Sequence, residues 1–188
     1  MKKVLVLLAD GFEEIEALSV VDVLRRSKVD CKMCSIEDEY VRGTHDIIIK
    51  SDCNIKDINT EDYHGVVLPG GLPGAENLKS DCVKELIIKM NEKKKIIAAI
   101  CAAPETLEYF NILEGKKCTS YPGFIKDKDK VDYIEDEIVV IDDNIITSRG
   151  PATALDFAIS ILAQLGCINE VEDIKEGMLV NFYNKFAK

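Results

Sequence analysis

Three short, unbroken apolar runs, at residues 4–8, 66–68 and 96–100, constrain this chain more than any other feature. Each is too short for a buried helix and lacks the alternation of a half-solvated strand, so each reads as a strand covered on both faces. Helical periodicity fills the intervals. Ala17, Val20, Val21 and Leu24 share one face of a helix expected from about Glu13 to Arg26. Val83, Leu86, Ile87 and Met90 share another, with Ser80 or Asp81 as its cap. Leu107, Phe110 and Leu113 mark a third, and Leu155, Ala158, Leu162 and Leu165 a fourth that Gly166 stops. Further strands are expected at 29–35, at 47–49 in an edge excursion, and at 117–121. Residues 137–141 and 144–148 flank Asp142-Asp143 as a hairpin. A polar C-terminal segment has room for one short helix.

Strands alternating with helices imply an α/β fold, a mostly parallel sheet with helices on both faces and right-handed crossovers. Ligands of such sheets bind beyond the carboxyl ends of the strands. Asp10-Gly11, Gly70-Gly71, Cys101 and Tyr121-Pro122 directly follow strands, so the topology alone brings them to one edge. Cys101 sits where a strand becomes a helix, followed by Ala102, Ala103 and Pro104. A helix start favours thiolate over thiol, and small neighbours admit a substrate. The alternative is a packing cysteine. Glu13, Glu14 and Glu16 occupy the first turn of the first helix. Glu13 and Glu14 read as charges complementing the helix dipole. Glu16 is either another or a partner for Cys101, since it lies on the apolar side at the same edge.

At 188 residues the chain suits one domain, 1–188, and its net charge of −10 shows no basic patch for nucleic acid. The first apolar run stops after six residues at Asp10, short of a leader, and no run approaches a membrane span, so a cytoplasmic protein is expected. Seven cysteines without an export signal imply reduced thiols. Cys31 and Cys34 have redox spacing, but in a strand they point to opposite faces. With only His45 and His64 and no second Cys-x-x-Cys, no metal site is expected. Pro69-Gly70-Gly71-Leu72-Pro73-Gly74 is not a nucleotide-binding loop, so no cofactor is expected either.

VLVLLADGFEEIEA, VVLPGGLPGA, IAAICAAP, TSYPG and ITSRGPATALDFA, in this order and spacing over nearly the whole chain, resemble the ThiJ/PfpI superfamily. Within it they resemble the branch of the parkinsonism-associated protein deglycase DJ-one and its bacterial relatives. The resemblance implies a flavodoxin-like sandwich with a nucleophile elbow, a homodimer, and a cofactor-independent glyoxalase or deglycase. Its substrates are 2-oxoaldehydes such as methylglyoxal, or glycated protein side chains. It assigns Cys101 the reactive thiol and Glu16 the adjacent carboxyl. Gly70, Gly71 and Ala102 match pocket-lining positions, and Gly150 and Pro151 its rim. Oxidative-stress sensing and a redox-regulated chaperone role are the alternative, with protease, amidase or thiamine-biosynthesis roles behind. Many relatives carry histidine where this chain has Tyr121. Neither His45 nor His64 is positioned to replace it, which disfavours a Cys-His dyad and leaves Tyr121 to bind substrate or to pack.

Overall fold

The computed structural model describes residues 1–186. In chain order it contains β1 (Lys3–Leu8), α1 (Glu14–Arg26), β2 (Asp30–Ser35), β3 (Tyr40–Arg42), β4 (Ile48–Lys50), β5 (Cys53–Asn54), β6 (Gly65–Leu68), α2 (Gly74–Asn77), α3 (Asp81–Glu92), β7 (Ile96–Ile100), α4 (Pro104–Tyr109), β8 (Lys117–Cys118), β9 (Asp132–Tyr133), β10 (Val139–Asp142), β11 (Ile145–Ser148), α5 (Ala154–Gln164), α6 (Ile168–Gly177) and α7 (Val180–Phe186).

Seven strands form the central sheet in the order β10-β11-β7-β6-β1-β2-β5, and every pairing is parallel except the β10–β11 hairpin. The apolar runs at β1, β6 and β7 are its three central strands, and they are covered on both faces. Alternate residues of β1 serve opposite cores. Val4, Val6 and Leu8 pack with Val20, Leu24, Phe157 and Leu162, whereas Leu5 and Leu7 pack with Val83, Ile87 and Leu107. Helices α1, α5 and α6 therefore cover one face and α3 and α4 the other. This is the flavodoxin-like sandwich expected from the sequence. Cys31 and Cys34 fall into the two different cores, so they do not form a redox pair. No helix among the described residues is long and apolar enough to cross a membrane.

The structure corrects several local expectations. The strand at 117–121 is only Lys117–Cys118, and it pairs with β9 outside the main sheet. Its continuation turns away because Thr119 N–H donates to Thr147 Oγ1 at 2.9 Å and Tyr121 N–H to the Cys101 carbonyl at 2.8 Å. The helix after Cys101 stops at Tyr109, yet Phe110 and Leu113 still fill the core beyond it. The hairpin turn is Asp143-Asn144, one residue later than expected, with Asp143 at φ +57°. Ser80 occupies the cap position of α3 without a side-chain cap bond; its hydroxyl meets Cys82 Sγ instead. Two helices, α6 and α7, occupy the C-terminal segment.

Candidate active site

Strand β7 delivers its chain to the carboxyl edge of the sheet and turns into α4 within three residues. Cys101 makes that turn at φ +63°. A non-glycine residue in this region costs about 1–2 kcal/mol, and such strain persists where surrounding structure over-determines it. Here the backbone is held from two sides. Cys101 N–H donates to the Ser148 carbonyl at 3.0 Å, and its own carbonyl accepts from Tyr121 N–H. Ala102 and Ala103 are buried behind it. The thiol itself is half-buried, whereas the exposed cysteine is Cys82.

Glu16 comes from the first turn of α1 and is fully buried. Its Oε2 accepts a 2.8 Å hydrogen bond from Gly70 N–H, while its Oε1 is buried with no hydrogen-bond partner. Gly70 is where the groups converge. A Cβ there would stand 2.8 Å from both Cys101 Cβ and Glu16 Oε2 and 3.0 Å from Ala102 N, so only glycine leaves carboxyl, thiol and elbow amide in mutual reach. Gly71 follows at φ +91°, and a Cβ there would run into the Gly11 carbonyl and Glu13 N–H of the loop that starts α1. Glu13 N–H donates to the Gly70 carbonyl at 3.0 Å and fastens the two loops together.

Burial raises the Glu16 carboxyl to about 7 against the opposing Gly70 N–H, and the charge of Glu13 adds to the rise. Burial also pushes the Cys101 thiol up to about 12; the charge and hydrogen bond of Glu16 raise it further, and the Ala102 and Gly71 N–H groups oppose. This corrects the expectation that the helix start alone makes the thiol acidic. Helix α4 has only six residues, and desolvation with a carboxylate neighbour outweighs it. The two groups titrate as a pair that accommodates one negative charge near neutrality and resists a second. When that charge lies on sulfur, two backbone N–H groups face it and the proton stays on Glu16.

Tyr121 is 48% exposed, with its ring edge-on to Phe124 and alongside Gly150. Its hydroxyl has no hydrogen-bond partner among the described residues. Thr153 Oγ1 ties down Gly150 through its N–H and carbonyl, and Pro151 follows into a single 3-10 turn. The structure thus unites Cys101, Glu16, Gly70, Gly71 and Ala102, with Tyr121 and Gly150 close to each other, such that a Cβ on Gly150 would meet the Tyr121 ring at 3.4 Å. His64 lies at the opposite end of the sheet, accepting from Lys3 N–H, and His45 is bound to Glu14. A cavity of about 610 Å³ also opens at that opposite end, beside Lys2, Arg26 and His64, and none of the sequence-derived site residues lines it.

Glu14 escaped the sequence reading. It is buried rather than a surface dipole charge, and it accepts from His45 N–H at 2.8 Å and contacts His45 Nδ1 at 2.9 Å. Burial resists its ionisation, but the His45 hydrogen bonds hold its carboxyl below the usual range, and Glu14 in turn raises the His45 imidazole. The partners lie 31 residues apart, and no local pattern joins them.

A family model described as the DJ-1/PfpI family matches residues 2–164. Protein dj-1beta of Drosophila melanogaster is 36% identical over 184 residues, covering 96% of this chain and 98% of its own. A protein named deglycase from Pyrococcus horikoshii is 32% identical over 152 residues, covering 80% of this chain and 91% of its own. The crystal structure of Drosophila DJ-1beta superposes with a TM-score of 0.89 at 36% identity, over 95% of this chain and 97% of that one. Toxoplasma gondii DJ-1, in its oxidized form, superposes with the same TM-score at 34% identity, over 95% and 98%.

Proposed function

The chain belongs to the DJ-1/PfpI family, and from that premise we propose that it is a cofactor-independent glyoxalase or deglycase acting through Cys101 and Glu16. The observation that carries the reading is the convergence at Gly70 of a strained elbow thiol, a buried carboxyl whose proton leaves near pH 7, and the elbow amide. A relative named as a deglycase supports the reaction class. The Cys101 sulfur, its proton passed to Glu16, adds to the aldehyde carbon of a 2-oxoaldehyde and gives a hemithioacetal. The Ala102 and Gly71 N–H groups that face the sulfur also face the nascent alkoxide, the type of stabilisation that preorganised donors supply. Glu16 gives the thiol's proton to that alkoxide, and the carboxylate so restored takes the proton from the former aldehyde carbon and returns it to the neighbouring carbon, leaving a 2-hydroxyacyl thioester. Water hydrolyses that thioester to the 2-hydroxy acid and restores the thiol. A deglycase begins with the same attack on an early glycation adduct.

The test is 2-hydroxy acid formation from methylglyoxal by the pure protein, with free aldehyde scavenging controlled. Cys101→Ala is expected to abolish it. Glu16→Gln is expected to lose turnover, on the order of 10²-fold or more for a proton-transfer group, while Cys101 still alkylates. Full turnover in Glu16→Gln would remove the carboxyl from the mechanism. A second reading, redox sensing through oxidation of Cys101, draws on the relative solved in an oxidized form. It predicts a sulfinate at Cys101 after mild peroxide and no product from methylglyoxal.

A further inference from the structure

Strand β5 closes one edge of the main sheet, and its parallel pairing with β2 sets Cys34 directly opposite Cys53. Residues on one strand alternate between faces, and these two, on neighbouring strands, meet on the same face, against the core that holds Leu5, Ile55 and Leu86. Both are free thiols, in hydrogen-bonding contact with each other. Neighbouring strands lie about 4.8 Å apart, inside the range of about 4.4–6.8 Å that the Cα atoms of a disulfide span. We propose that Cys34 and Cys53 form a reversible disulfide, a redox site of this chain that works without Cys101.

Two features set this pair apart from cysteines that only pack. Its register is clamped on both sides. The Asp52 carboxylate accepts from Met33 N–H at 2.8 Å, and Asn54 Nδ2 donates to Ser35 Oγ at 3.3 Å and to the Glu37 carbonyl at 2.6 Å. The two thiols are also unequal. Cys34 is fully buried, whereas Cys53 is half-buried on the edge strand, so an oxidant reaches Cys53 first. Burial raises both thiols, but the hydrogen bond between them opposes the rise at Cys53 and adds to it at Cys34, so Cys53 is the one that ionises. With a peroxide as oxidant, the Cys53 thiolate attacks one oxygen and the O–O bond breaks. Hydroxide leaves, takes up the proton that Cys53 released and becomes water, and a sulfenic acid remains. The Cys34 sulfur then attacks the Cys53 sulfur, the S–O bond breaks, and the hydroxyl departs with the Cys34 proton as a second water. Two thiols lose two electrons and one peroxide becomes two waters; a dithiol reductant reverses the change by exchange. The bond joins the two ends of the segment that carries the β3–β4 hairpin, and this hairpin rests on the loop before α1 through Gly11 N–H, which donates to the Arg42 carbonyl at 2.7 Å.

The test uses the full chain carrying Cys101→Ser, so that neither turnover nor oxidation at the elbow enters the result. The reduced protein is treated with equimolar hydrogen peroxide, alkylated with N-ethylmaleimide and digested without reduction for mass spectrometry. Free thiols should fall by two per chain, a linked pair of peptides carrying Cys34 and Cys53 should appear, and dithiothreitol should reverse both. Adding Cys53→Ser should lower the yield of thiol loss at least tenfold; this position is half-buried at the sheet edge, and circular dichroism checks the fold. Adding Cys34→Ala should leave a sulfenic acid on Cys53 that dimedone traps. Cys82 is the exposed competitor, held by Ser80 Oγ at 3.3 Å at the start of α3. An unchanged thiol count, Cys53 linked to Cys82 or to a second chain, or a Cys34–Cys53 link that forms only in denaturant overturns the site and leaves two packed thiols.

Discussion

Glu16 is a residue that stability alone would not select. Its folded form holds a proton more tightly than the unfolded chain does, at about 7 against an ordinary 4.5. The stabilising contribution of that proton is therefore complete below about pH 4.5 and is lost as pH rises through 7, after which a buried carboxylate remains. The difference corresponds to roughly 3 kcal/mol at most. Glu16→Gln keeps an acceptor for Gly70 N–H and cannot ionise, so denaturant unfolding should find it more stable than the parent at pH 8, by about 1–3 kcal/mol, with the gap closing at pH 4.5. A gap that does not depend on pH would mean that Glu16 is not the titrating group. Tyr121 is the opposite case. Its hydroxyl has no partner among the described residues and its ring is half-exposed, so Tyr121→Phe should change stability by less than about 0.5 kcal/mol and kcat/KM by less than about tenfold. A larger kinetic loss would make the phenol a proton donor. At this scale Cys101 and Glu16 were legible because each follows a recognisable signal, a strand end or a helix start. Glu14 was not, since helix-start carboxylates look alike until a distant chain segment buries one of them.

Among the elements, the elbow decides the chemistry. Residues 96–100 announced a buried strand, and Pro104 a helix start, so a turn at Cys101 was legible; its left-handed conformation was not, because nothing in the side chains nearby demands φ +63°. The same limit explains β8, whose apolar and polar residues look strand-like until Thr147 and the Cys101 carbonyl capture the backbone of Thr119 and Tyr121. The strained turn makes an unusual stability prediction. Glycine ordinarily destabilises relative to alanine by about 0.5–1 kcal/mol through chain entropy, but at Cys101 it also relieves about 1–2 kcal/mol of left-handed strain. Cys101→Gly should therefore equal or exceed Cys101→Ala in unfolding free energy, by up to about 1 kcal/mol. If Cys101→Gly is the less stable of the two, the positive φ is not a strained state. Gly71→Ala should move the other way, because its φ of +91° and its contact with Gly11 leave no room for a methyl group.

Across the whole molecule, the site exists only because a parallel sheet gathers the ends of several strands. Glu16 follows β1, Gly70 follows β6 and Cys101 follows β7, and these three strands are neighbours at the centre of the sheet. That adjacency is what alternating apolar runs and helices made legible, since a parallel sheet has one carboxyl edge and all three residues lie just beyond it. The β3–β4 hairpin stands outside this logic, and its docking onto α1 belongs to tertiary packing alone. Glu16 is fixed less by the packing behind its helix than by the loops that grip the helix's first turn. Helix α5 packs on α1, and Phe157 of α5 is fully buried in the core shared with Val20 and Leu24 of α1. Phe157→Ala should cost about 3–5 kcal/mol of global stability. The loss falls in the core that α1 and α5 share, whereas Gly70 and the Gly71 loop hold the first turn of α1 through their own backbone. In the cold, where the variant remains folded, its turnover should stay within about twofold of the parent. On heating, loss of turnover and loss of helical circular dichroism should coincide at a lower midpoint than in the parent. A variant that loses turnover well before its helices melt would place the positioning of Glu16 in the α1–α5 interface rather than in the loops that grip its first turn.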